Sequence, residues 1–102
     1  MSDDILSRIR SSAKRALSGQ TLEPLLQYSF SYSFLGRKLL IRAEVERELS
    51  EDEHEKLEVA VTEIYSDFWP DFDITMIVDI VTEAALKALP DGIVYRRDVD
   101  GR

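Results

Sequence analysis

The sequence has no cysteine among its 102 residues. Disulfides, thiolate metal sites and thiol nucleophiles are therefore excluded, and the absence fits a reducing compartment. A single histidine, His54, leaves no second imidazole for a zinc site. No fully apolar run exceeds three residues, as in Met76–Val78, far short of a membrane span. The first residues contain no apolar stretch of the kind a signal peptide carries, so a cytoplasmic location is expected. Positive charge is scarce. Lys and Arg total 13 against 20 Asp and Glu, for a net charge of -7. Clustered basic residues are what nucleic-acid backbones require, so direct nucleic-acid binding is disfavoured and a basic protein partner is favoured. Nothing in the sequence forms a cofactor-binding or catalytic motif.

What is present suits one domain, residues 1–102, with one modest core: 44% of the residues are hydrophobic. The charge is unevenly placed. Met1 to Gly19 carries Arg8, Arg10, Lys14 and Arg15 against Asp3 and Asp4, net +2. Glu44 to Asp79 holds thirteen acids and two bases, net -11.

The stretch from Tyr28 to Asp67 organises the chain. Residues 28–34 alternate strictly, with Tyr28, Phe30, Tyr32 and Phe34 on one face and Ser29, Ser31 and Ser33 on the other. Four aromatic rings at period two predict a strand with its rings in the core. A base-stacking surface needs interleaved Lys or Arg, and serines stand there instead. Gly36 marks a turn. Residues 38–46 alternate again, with Leu39, Ile41, Ala43 and Val45 inward, and Leu40, Arg42, Glu44 and Glu46 on a mostly wet face. The two runs predict a hairpin.

Residues 50–66 predict a helix. Ser50 and Glu53 make a capping box, and Glu51, Asp52, Glu53 and Glu55 crowd the positive end of the helix dipole. Leu57, Ala60, Val61, Ile64 and Tyr65 form the expected buried stripe, with Phe68 just beyond. Glu51, Glu55, Glu58, Thr62 and Glu63 face water. Five acids between Glu51 and Glu58 against one base, Lys56, exceed what a cap requires, and acids four apart repel one another. Such repulsion is tolerable on a surface reserved for a positively charged partner.

The flanking segments are read in the same way. Residues 3–17 predict a surface helix laid on the sheet, with Ile5, Ile9, Ala13, Ala16 and Leu17 at helical spacing. Residues 19–27 form an apolar connector interrupted by Pro24. In the loop 67–73, DFWPDFD, the rings plug the end of the core or, alternatively, Trp69 anchors an interface while Asp67, Asp71 and Asp73 steer a partner. The D-x-D spacing of Asp71 and Asp73 lacks the glycine and distal Glu of a calcium loop. Residues 74–81 read as a strand followed by a short helical or irregular stretch over 82–89, although one continuous helix also fits the apolar spacing. Residues 92–98 read as a last strand with Ile93 and Tyr95 on one face, and 99–102 as a tail.

The expected fold is α+β: a two-layer sandwich of order α-β-β-α-β-β, its mostly antiparallel sheet covered by helices. The crossover through the second helix sets the second and third strands parallel or leaves them apart.

The block from Leu39 to Asp98 resembles the small acidic immunity proteins of bacterial secreted or contact-dependent toxin systems. It has a strand, the acidic helix LSEDEHEKLEVAVTEIYSDF, an apolar strand and a closing IVYRRD strand. The likeness spans about 60 residues and rests on apolar and acidic patterns; the TEAALKALPDG stretch departs from it. The resemblance implies a cytoplasmic, non-enzymatic protein that binds and neutralises a cognate toxin, often a nuclease. The charge reading arrives separately at a basic protein partner met by Glu51, Asp52, Glu55, Glu58, Glu63, Asp67, Asp71 and Asp73, with Trp69 as anchor. Two alternatives stand beside it. One is a small homodimeric structural or assembly protein. The other, weaker, is an enzyme using a carboxylate pair such as Asp71 and Asp73, with His54 as base.

Overall fold

The computed structural model describes residues 2–18, 22–68 and 73–97. The order of elements is α1 (Ser2–Ser18), β1 (Leu25–Ser33), β2 (Lys38–Val45), α2 (Glu51–Phe68), β3 (Asp73–Ile80), a single 3-10 turn (Glu83–Ala85) and β4 (Gly92–Arg96). The four strands form one sheet in the order β3-β2-β1-β4. β1 pairs antiparallel with β2 and β4, whereas β2 and β3 are parallel. The sheet is therefore mixed, because α2 returns the chain to the end of the sheet from which β2 started.

The strands form where the alternation is strongest. Tyr28 stands opposite Ala43 and Phe30 opposite Ile41, all fully buried, and Leu39 and Val45 extend the same face. Ile9, Ala13, Ala16 and Leu17 of α1 and Leu57, Ala60, Ile64 and Phe68 of α2 join these residues in one core cluster. Both helices thus cover the same face. Each large side chain buried there contributes roughly 1.5–3 kcal/mol of transfer free energy. The Tyr28 hydroxyl is buried with no hydrogen-bond partner among the described residues, and burial pushes its ionisation well above the usual phenol range.

Several expectations change at this level. β1 begins at Leu25, inside the expected connector, because Glu46 N–H donates to the Pro24 carbonyl and ties that segment alongside the end of β2. Phe34 lies in the turn and is 51% exposed, outside the core expected for it. Its ring meets Tyr32 edge-on at 4.8 Å. Gly36 lies in the turn as expected, and Arg37 beside it takes a left-handed backbone, with φ 52°. Tyr65 is exposed instead of joining the buried stripe of α2. The ambiguous 74–89 segment resolves into β3 followed by the 3-10 turn, as read from its β-branched run. Pairing with β2 over Lys38–Val45 outweighs the helical stripe. In β4 a register shift occurs between the pairs Tyr28–Tyr95 and Ser29–Ile93. It buries Val94 and separates Ile93 from Tyr95, which do not share a face. A Cβ at Gly92 would press on the buried Phe30 ring at 3.0 Å, whereas Arg10 Nη2, 2.5 Å away, is the end of an exposed side chain that can swing aside. The expected end of that strand, Asp98, and the expected tail lie outside the described residues.

The largest correction concerns the second face of the sheet. Ser29 and Glu44 are fully buried there and Gln27 nearly so, although this face was expected to be wet. The reason is the path from β3 to β4. Val81 N–H donates to the Val45 carbonyl, and the chain then crosses over β2 and β1 before Asp91 N–H reaches the Phe30 carbonyl. On the way Lys87 N–H donates to Glu44 Oε2 at 2.8 Å and Leu89 N–H to Ser29 Oγ at 2.9 Å. An irregular segment laid on a sheet must satisfy its own amides, and the polar residues of β1 and β2 are the acceptors it uses.

Candidate functional site

The outward face of α2 is built by its own periodicity. Ser50 Oγ accepts from Glu53 N–H at 3.2 Å, and the Glu53 carboxylate accepts from Ser50 N–H at 2.9 Å, so the expected capping box closes. With Leu57, Ala60, Ile64 and Phe68 held in the core, the helical step of about 100° per residue turns Glu51, Asp52, Glu55, Glu58 and Glu63 to the opposite side. All five are exposed. None makes a side-chain hydrogen bond or ion pair among the described residues. Val59 rises among them, 43% exposed, with Tyr65 at 37% on the same helix. Period alone would have put Val59 outside the buried stripe, but the sequence reading did not single it out.

Other acids of the 44–79 segment are spent within the chain. Arg47 grips Glu53 through two hydrogen bonds of 2.9 Å. That guanidinium, aided by Ser50 N–H, holds the Glu53 carboxyl down at about 2. Arg97 bonds Glu46 at 3.0 Å and lowers its carboxyl below the usual range. Arg42 Nε lies 3.1 Å from Asp79. Glu44 accepts from Gln27 Nε2 at 2.8 Å through one oxygen, and its other oxygen takes the Lys87 amide.

Of the sequence-predicted site residues, the structure therefore brings together Glu51, Asp52, Glu55, Glu58 and Glu63. Asp67, at the end of α2, is bound by Ser12 and Arg15 of α1 and belongs to the helix–helix contact. Asp73 is exposed at the start of β3, on the sheet and not on α2. Trp69 and Asp71 lie outside the described residues. The bases of α1 (Arg8, Arg10, Lys14 and Arg15) are exposed, so the helical layer carries a basic helix beside an acidic one. Arg8 lies over the Phe68 ring, 5.3 Å from its centre.

Between the helices lies an open depression of about 400 Å³ lined by Ser7, Arg8, Ser11, Ser12, Arg15, Asp67 and Phe68. His54 does not line it and is exposed on α2. No cluster of three His, Asp or Glu among the described residues is placed to hold a metal ion. No helix among them is long and apolar enough to cross a membrane.

The family model of the MafI2 immunity protein matches residues 7–99. No curated protein matches the chain. The match spans both helices and all four strands, apart from the first residues of α1.

Proposed function

We propose that this chain, which belongs to the MafI2 immunity protein family and is thus an immunity protein of a toxin system, neutralises its toxin by presenting the acidic face of α2 to a basic surface on it. The observation that carries this reading is the set of five exposed carboxylates, Glu51, Asp52, Glu55, Glu58 and Glu63, without partners among the described residues, while Glu46 and Glu53 close by are paired. Like charges on one helix face weaken the helix slightly, and an oppositely charged partner offsets that cost. A toxin acting on a polyanion, as a nuclease does, has the positive cleft such a face fits. Val59 adds apolar area among these carboxylates, and Tyr65 adds it at their border. The mode of action is occlusion, with no catalytic step, in the cytoplasm where the toxin would act.

The test is to mix the chain with the inactivated toxin encoded beside it and follow association. The rate should fall steeply with added salt, and Glu51→Lys, Glu55→Lys and Glu58→Lys together should slow it by roughly tenfold or more at low salt. A complex that forms at the same rate in low and high salt, and is indifferent to the three substitutions, would overturn the acidic-face reading.

A further inference from the structure

β3 stands at one end of the sheet, and among the described residues nothing pairs with its outer side. Alternate residues of a strand send their N–H and C=O groups to opposite sides. Asp73 N–H donates to the Arg37 carbonyl and Val81 N–H to the Val45 carbonyl, at the two ends of the ladder with β2. The odd-numbered residues of β3 are thus spent on β2. Ile74, Met76, Val78 and Ile80 turn their backbone groups outward.

The side chains of those four lie on the helix side of the sheet, since their partners Leu39, Ile41, Ala43 and Val45 are core residues. The cover is incomplete. Ile74, Met76 and Val78 are half-buried, and Ile80 is 61% exposed. Ile77, on the other face, is 39% exposed. Edge strands are ordinarily blunted by charged side chains, lysine above all, by proline or by a bulge. β3, DITMIVDI, has no lysine and no proline and pairs with β2 without a register shift; its charges are Asp73, at its start, and Asp79, which is paired with Arg42 of β2. Its eight residues offer about 26 Å of open edge.

We infer that β3 receives an extended segment of the toxin as a fifth strand, apolar on one face and basic on its other side chains. The inference rests on the toxin-binding reading and names a second place where the toxin is held. Backbone groups of Ile74, Met76, Val78 and Ile80 supply the ladder, and their half-covered side chains supply the selectivity. Charge decides the occupant. Asp67 turns one flank of α2 towards α1. By helical spacing Val61, Tyr65 and Glu58 lie on the opposite flank, and the other neighbour of α2 is β3. The open edge therefore runs beside a flank whose carboxylate is Glu58, and it begins at the exposed Asp73. A second copy pairing about a two-fold axis would set that flank beside its duplicate, on molecules each of net charge -7. A basic strand meets no such repulsion.

Backbone amide exchange tests this on the full chain, alone and mixed with the inactivated toxin encoded beside it. In the free chain the amides of Ile74, Met76, Val78 and Ile80 should exchange fast, and those of Thr75, Ile77 and Asp79 slowly. In the complex the first four should slow by roughly a hundredfold or more. Val78→Pro removes one outward N–H while sparing the ladder with β2, and it should weaken the complex by about tenfold without unfolding the chain. A complex that leaves all four amides fast overturns the fifth strand and spares the acidic-face reading. Absence of any complex overturns both. Protection that grows with the concentration of the chain alone would assign the edge to a second copy and overturn the proposal.

Discussion

Glu44 and Glu58 are the same residue type in the same acidic segment, and they do opposite things. Glu44 is fully buried, with both oxygens bonded to the chain. Glu58 is exposed, and its carboxylate bonds nothing among the described residues. The difference extends to two groups. Glu44, Glu46, Glu53, Asp67 and Asp79 tie elements together, each through a partner distant in the sequence or across a turn. Glu51, Asp52, Glu55, Glu58 and Glu63 are aimed at solvent by one rigid helix. Carboxylate count is therefore a poor guide to the field a small protein projects. What matters is which carboxylates its own arginines and amides have taken.

The sharpest break in that contrast is Glu44→Ala. It strands Gln27 Nε2 and the Lys87 amide beneath the crossover, and it leaves Arg42 with Asp79 alone. The loss should be about 3 kcal/mol, seen as a lower urea midpoint, and amide exchange should show the 82–91 crossover loosening first.

A smaller effect should come from acid. The folded-state Glu53 carboxyl lies at about 2, below its ordinary 4.5, so the stability it contributes is complete above the ordinary value. That contribution is lost as pH falls from about 4.5 through about 2. Glu46 moves in the same direction. Arg47→Ala removes the main cause of the Glu53 shift, so thermal melts of that variant should decline less steeply over this window than those of the wild type. Equal slopes would show that the pair adds nothing to folding.

The smallest effect on stability belongs to the outward group. Glu55→Gln, Glu58→Gln and Glu63→Gln should each change the unfolding free energy by less than about 0.5 kcal/mol, with a slight gain where a repulsive neighbour is relieved. A loss near that of Glu44→Ala would erase the distinction between the two groups.

Much of this molecule is legible in single residues. The alternation of Tyr28, Phe30 and Tyr32 against serines, the partner run Leu39 to Val45, and Ser50 with Glu53 placed the hairpin and the start of α2 correctly. The same helical period that buries Leu57 and Ile64 exposes Glu51, Glu55 and Glu58. Other features were hidden. The serine face looked wet because alternation reports only that two faces differ, not what comes to rest on the polar one. Phe34 looked buried because period says nothing of where a strand outruns the core, and Tyr65 because it borders the stripe of α2, where period does not fix how far the cover reaches.

Patterning along the chain was enough to determine the two helices, the β1–β2 hairpin, most of their inward faces and the acidic outer surface of α2, because these depend on neighbours within one turn or one pleat; it left 74–89 open between strand and helix. Only the tertiary structure decided that β3 runs parallel to β2 at an open edge, that the 82–91 segment roofs the second face, and that Glu44 lies inside while Glu58 lies outside. Those outcomes depend on groups tens of residues apart meeting in space, where a buried amide without an acceptor costs more than any local preference can return.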